Sequence, residues 1–172
     1  MKVEAVDVYD KNKNKTRKII NRYSGSLEID EYALAVKAII MNSNYEFLIS
    51  RRSLSKRLDP GKWEINGGAC IAGETSLQGI IREIKEELGI DLKNVKGILF
   101  KEYCQHPYFY DIWLFKLDVD INKLNFLDSE VIDAKWVNIE QIICMEKNNL
   151  LINYENLNCN DYKEVIKKIK QW

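Results

Sequence analysis

The chain has 172 residues, 46% of them apolar, which suits one globular domain (1–172) with a full-sized core. Its 26 basic and 26 acidic residues cancel, which argues against a broad electrostatic footprint for a nucleic acid polymer. No run of about 18 apolar residues exists to span a membrane, and MKVEAVDVYDKNKNK lacks the apolar centre of a signal peptide, so a cytoplasmic protein is expected.

The first thirty or so residues read as a hairpin extension. VEAVDVYD alternates apolar and polar residues, KNKNK is a polar turn, and a second strand is expected to end near Ile20. Tyr32 to Met41 and Glu46 to Arg52 form the clearest strand pair, joined by the turn residues Asn42, Ser43 and Asn44. The following SRRSLSKRLDPGKW gathers Arg51, Arg52, Lys56, Arg57 and Lys62 around a turn at Asp59, Pro60 and Gly61. Such a segment is either a solvated basic loop or a grip for substrate phosphates. Arg51 and Arg52 are the better candidates for the grip, because they end a strand and sit on a rigid element. A short strand starts at Trp63.

From Thr75 to Leu88, the apolar series Leu77, Ile80, Ile81, Ile84 and Leu88 has the spacing of a half-buried helix. Thr75 or Ser76 can cap its start, and Gly89 stands where a left-handed C-terminal residue is wanted. Glu83, Glu86 and Glu87 fall in one sector beside the buried stripe. They are either a solvated face paired with Arg82 and Lys85, or ligands. Like charges four apart cost stability unless a cation sits among them, and an oxygen-only cluster suits a hard divalent ion, Mg²⁺ first and Mn²⁺ second.

Further strands are expected over Val95 to Cys104, Phe109 to Val119 and Ala134 to Val137. Asn138 can cap a helix of about nine residues, and Asn160 another that holds Tyr162, Val165, Ile166, Ile169 and Trp172 on one face. Tyr103, Tyr108, Phe109, Tyr110 and Trp113 either stack a base or pack the sheet. His106, a lone histidine, reads as a surface or turn residue rather than a substrate contact. Cys70, Cys104, Cys144 and Cys159 have no paired spacing and read as separate thiols rather than a zinc site. The sum is an α/β protein with a mixed sheet and helices on its faces.

GACIAGETSLQGIIREIKEELGI, from Gly68 to Ile90, meets every fixed position of the pattern G-x5-E-x7-R-E-U-x-E-E-x-G-U, with U aliphatic. A chance match in a chain of this composition is on the order of one in ten million. The stretch resembles the box of the Nudix hydrolases. That resemblance implies an α/β/α sandwich and Mg²⁺-dependent cleavage of a diphosphate linkage in a nucleoside diphosphate-type or related organic pyrophosphate. By position, it implies that Glu83 and Glu87 bind the metal, with Glu86 as a further ligand or base and the Gly68 carbonyl as another ligand. Arg82 would hold the carboxylates in place, and the role of Glu74 is partly structural. Glu130, six residues before Trp136 in SEVIDAKW, is carried as a candidate ligand or general base. The implied partner is a small-molecule diphosphate, and a homodimer is left open.

VDVYDKNKNKT, EYALAVKAIIMNSNYEFLISRRS and KRLDPGKWEINGG extend the resemblance, over roughly residues 5 to 90, to the Nudix branch related to isopentenyl diphosphate isomerase. The isomerases carry a catalytic Cys and a metal-binding His where this chain has Gly67 and Ala69, and they depart from the full R-E-U-x-E-E pattern that is intact here. Hydrolysis is therefore favoured. Isomerisation is the alternative, and a non-catalytic nucleotide-sensing module, usually marked by an eroded box, is a further one.

Overall fold

The structure is a computed structural model that describes residues 4–126, 129–152 and 157–172. The chain opens with a hairpin of β1 (Ala5–Tyr9) and β2 (Lys15–Asn21), as the alternation predicts. Then follow β3 (Ala33–Met41), β4 (Phe47–Arg52), β5 (Trp63–Glu64), β6 (Gly67–Ala69) and α1 (Ser76–Leu88). The second half holds β7 (Gly97–Gln105), β8 (Tyr108–Lys116), β9 (Val131–Val137), α2 (Ile139–Lys147) and α3 (Cys159–Ile169).

Seven strands, β3 to β9, make one mixed sheet. β3 is its centre: ALAVKAIIM is buried at every position, because helices cover both of its faces. Val36, Ala38 and Ile40 face a core with Ile80, Ile84 and Leu88 of α1, whereas Ile39 and Met41 face Ile142 of α2 and Tyr162 and Val165 of α3. The result is the expected α/β/α layering.

β3 runs parallel to β8 along its whole length, from Ala33↔Tyr108 to Met41↔Lys116. Its other edge behaves differently from the simple strand pair expected. β3 and β4 share one rung, Met41↔Phe47, and then part. The edge that β3 loses is taken by β6, with Val36 opposite Gly68, and by the Asn66 carbonyl, which accepts from the Ala38 N–H at 2.9 Å. β4 is paired instead with β5 and β9. The sheet thus forks after the turn, and the segment from 53 to 75 returns to fill the fork, which satisfies backbone groups that burial would otherwise orphan.

Local signals set the helix ends. Thr75 caps α1 in a reciprocal pair with Gln78, and Gly89 closes it at φ 73°, a left-handed conformation that glycine adopts without strain. Ile80, Ile84 and Leu88 are fully buried, which stabilises the fold by about 1.5–3 kcal/mol each. Asn138 caps α2, of nine residues, as its sequence predicts. For α3 the cap is Asn158 rather than Asn160, because Asp161 completes the reciprocal pair with Asn158. Trp172 lies beyond that helix and is exposed, so it does not extend the buried face. β8 ends at Lys116, short of Val119.

The hairpin docks on the loop before α1. Ala72 N–H donates to the Ala5 carbonyl at 2.8 Å, Gly73 N–H to Asp7 Oδ2 at 2.9 Å, and Lys15 Nζ bonds both Asp7 and the Glu74 carbonyl. At its tip, Lys13 forms ion pairs with Glu102 and the buried Asp111. Among the described residues, all four cysteines are free thiols and no helix is long and apolar enough to cross a membrane.

Candidate functional site

The site lies at the fork. α1 crosses it with Ile80 and Ile84 in the core, and the same helical phase turns Glu83 and Glu87 inward beside the apolar stripe, each with only 9% of its surface exposed. Glu83 meets β6. A Cβ built on Gly68 would lie 2.5 Å from the Glu83 carboxyl carbon, so the carboxylate occupies space that any other residue at 68 would fill. Glu87 Oε2 accepts from Asn66 Nδ2 at 2.9 Å, and Asn66 is itself anchored on Ser50 Oγ at 2.8 Å.

Arg82 organises the acidic residues. Its Nε and Nη2 reach the two oxygens of Glu74 at 2.8 and 3.1 Å, and Nη2 also donates to the Ala69 carbonyl at 2.9 Å. Its Nη1 holds Glu83 at 3.0 Å and Glu86 at 3.1 Å. This is the two-sided recognition that a planar guanidinium allows. Burial opposes the Arg82 charge, yet its bonds to Glu74 and the nearby Glu83 carboxylate keep it protonated far into the basic range.

Burial raises the acids. It pushes Glu87 up to about 8 against the opposing Asn66 bond, with Glu64 and Glu83 adding like charge. It also raises Glu83, opposed by Arg82. Two buried carboxylates in one cavity, of which Glu83 shares Arg82 with Glu74 and Glu86 and Glu87 is held by the neutral Asn66 amide, are costly while both are ionised. An oxygen-rich donor set of this kind fits a hard divalent cation, which would relieve that cost.

A cavity of about 350 Å³ opens over these residues. Its acidic lining is Asp59, Glu64, Glu83, Glu87 and Glu130, and its basic lining is Arg22, Lys37, Arg52 and Lys56. Glu64 sits between two cations, with Lys37 Nζ at 3.2 Å from one oxygen and Arg52 Nη1 on the other. Glu130 is ion-paired with Lys56.

The structure therefore brings Gly68, Glu83, Glu87, Glu130 and Arg52 to one cavity. Glu86 is held by Arg82 and does not line the cavity. Among the described residues no three acidic, His or Cys side chains are gathered closely enough to hold a metal ion. Arg51 is exposed, bonds the Gly61 carbonyl and lies outside the cavity. Strand alternation separates it from Arg52.

Sequence reasoning missed Lys37, Glu64, Asn66 and Arg22. One signal for Lys37 was available: it is the single charge in a nine-residue apolar strand. Of the aromatics, Tyr108 and Tyr110 line the cavity, Phe109 is buried in the core, and Trp113 packs near α1 with its Nε1 donating to Ser76 Oγ.

An α/β/α sandwich whose cavity is floored by a Gly-x5-Glu loop and an R-E-x-x-E-E helix is that of a Nudix enzyme. The NUDIX domain family matches residues 31–157, and the chain belongs to it. It is 33% identical over 159 residues to an uncharacterised Nudix hydrolase of Listeria innocua, a match covering 91% of this chain and 92% of that one. It is also 26% identical over 125 residues to an isopentenyl-diphosphate Delta-isomerase of Klebsiella pneumoniae, covering 64% of this chain and 63% of the relative. In fold it is similar to DR0079 from Deinococcus radiodurans, with a TM-score of 0.75 at 20% identity over 95% of this chain and 98% of that one. The chain is thus a hydrolase of the Nudix family.

Proposed function

We propose that this protein is a Mg²⁺-dependent hydrolase that cleaves the diphosphate linkage of a nucleoside diphosphate-type or related organic pyrophosphate. The observation that carries this reading is the pair Glu83 and Glu87, both buried and lining one cavity ringed by cations, Glu83 against Gly68 and Glu87 on Asn66. Glu83, Glu87 and the Gly68 carbonyl are the proposed metal ligands, with Glu86 able to join them by leaving Arg82. The ion would neutralise phosphate oxygens and acidify a water.

The chain's own side chains do the rest. Arg52, Lys37 and Lys56 bind and orient the phosphates, and their charge stabilises the leaving phosphate. Glu130, partly exposed beside Lys56, is the candidate base that takes the proton of the attacking water, and Glu86 is the second candidate. Arg82 positions Glu83, Glu86 and the Glu74 loop, and acts through them.

Isomerisation is disfavoured because no thiol or imidazole stands at Gly67 or Ala69, and the neighbouring Cys70 is buried, its thiol pushed up to about 12. Incubation with nucleoside diphosphates, dinucleoside polyphosphates and isopentenyl diphosphate, with and without Mg²⁺, tests the reading. Metal-dependent phosphate or nucleotide release is expected. A rearranged double bond without phosphate release, or no turnover of any compound, would remove it.

A further inference from the structure

A second cavity, of about 250 Å³, adjoins the first. Arg22, Ala69 and Tyr108 line both, so the two are neighbours across those side chains. The second lies between the hairpin and the β7–β8 turn. Val6, Ile20 and Ala33 give it apolar walls, while Arg22, His106 and Tyr108 bring polar heads to it. The hairpin precedes residue 31 and so lies outside the family match, yet it supplies Val6, Ile20 and Arg22.

The geometry is held from several sides. Arg22 is fixed to Glu4 by its backbone N–H at 2.8 Å and by Nη1 at 3.0 Å. The His106 ring stands edge-on to Tyr32, with centroids 5.2 Å apart. The hairpin itself is tied to the box loop through Asp7 and to β8 through Lys13.

We propose that this second cavity receives a nucleobase carried by the diphosphate, and that Arg22, at the junction, contacts the phosphate nearest that base. The inference rests on the hydrolase reading above and makes the hairpin the substrate-selecting wall. Its chemistry follows from the lining. A hydrocarbon chain would cover Arg22, His106 and Tyr108 without offering them hydrogen bonds, which opposes binding. A flat heteroaromatic ring presents apolar faces to Val6, Ile20 and Ala33 and hydrogen-bonding edges to the polar heads. A phosphate at the junction would lie within reach of Arg22 from one cavity and of the cations of the other.

Leu27, in the segment after β2, lines the second cavity and lies outside the first. Leu27→Trp should fill it. Steady-state kinetics with Mg²⁺ would compare ADP, GDP, CDP and UDP with methyl diphosphate and isopentenyl diphosphate. The wild type is expected to favour at least one nucleoside diphosphate over methyl diphosphate by about tenfold or more in kcat/KM. Leu27→Trp should abolish that preference through KM. Arg22→Ala should raise KM with little change in kcat, and Arg22→Lys should recover part of the loss. Thermal melts report folding, and if Leu27→Trp melts early, His106→Ala at the exposed turn carries the same comparison. An equal loss for nucleoside and methyl substrates in the cavity variant, or a wild-type preference for isopentenyl diphosphate, would overturn the proposal.

Calorimetric titration with nucleoside monophosphates separates the two readings. If the wild type turns over nothing but binds a monophosphate that Leu27→Trp does not, the reaction is wrong and the compartment stands. No binding and no nucleoside preference overturn the compartment.

Discussion

The carboxylate of Glu83 fills the space that a side chain on Gly68 would need, with 2.5 Å between a Cβ at 68 and the Glu83 carboxyl carbon. The obstructing atoms are the end of a flexible side chain, so Gly68→Ala is expected to push the carboxylate aside rather than unfold the sheet. Turnover should fall by about 10²-fold, the cost of misplacing a catalytic contact by an ångström, while the melting temperature stays within about 3 °C. Kinetics alongside a thermal melt check both halves.

Glu87→Gln should lower turnover by about 10² to 10⁴ with the fold intact. Mg²⁺-dependent assays of the folded variant decide it, and wild-type rates would remove Glu87 from the site.

The same substitution changes stability with pH. Glu87 is raised from 4.5 to about 8, so the metal-free folded state holds its proton more tightly than the unfolded chain. Its contribution is fully present below 4.5 and is lost as pH rises through about 8. In EDTA, the wild type should therefore weaken relative to Glu87→Gln over that window, as urea titrations at pH 5 and pH 8.5 would reveal. A difference independent of pH would count against the raised carboxyl.

Cation uptake should displace protons from Glu83 and Glu87, because both are raised and only the ionised forms are ligands. Mg²⁺ affinity is expected to increase between pH 6 and pH 8. Calorimetry in two buffers of different ionisation enthalpy would report proton release directly.

Arg82→Lys retains the charge and loses the fork that joins Glu74, Glu83, Glu86 and the Ala69 carbonyl. A loss of about 1–3 kcal/mol is expected in chemical denaturation, allowing for the partial exposure of the group. Turnover should fall as well, through displaced carboxylates rather than a lost substrate contact.

The glutamate-bearing helix was legible because its determinants are local: a period, a cap, a terminal glycine and fixed offsets. Asn158 displaced Asn160 as the α3 cap by the same local logic, read two residues off. Lys37, Glu64 and Asn66 were hidden for a different reason. They meet only because β3 and β4 part after one rung, and no short-range pattern encodes which strand takes a vacated edge. Arg52 and Arg51 illustrate the remaining ambiguity: alternation places them on opposite faces, but tertiary pairing chooses which face holds the cavity.

The fork leaves Glu64 and Gly68 on two very short strands, Trp63–Glu64 and Gly67–Ala69, slung between the long β3 and the β4–β9 pair. Such a bridge is compliant where its supports are stiff. Adjustments at Gly68 and Asn66 are therefore expected to be absorbed between the flanking girders, which keep their register.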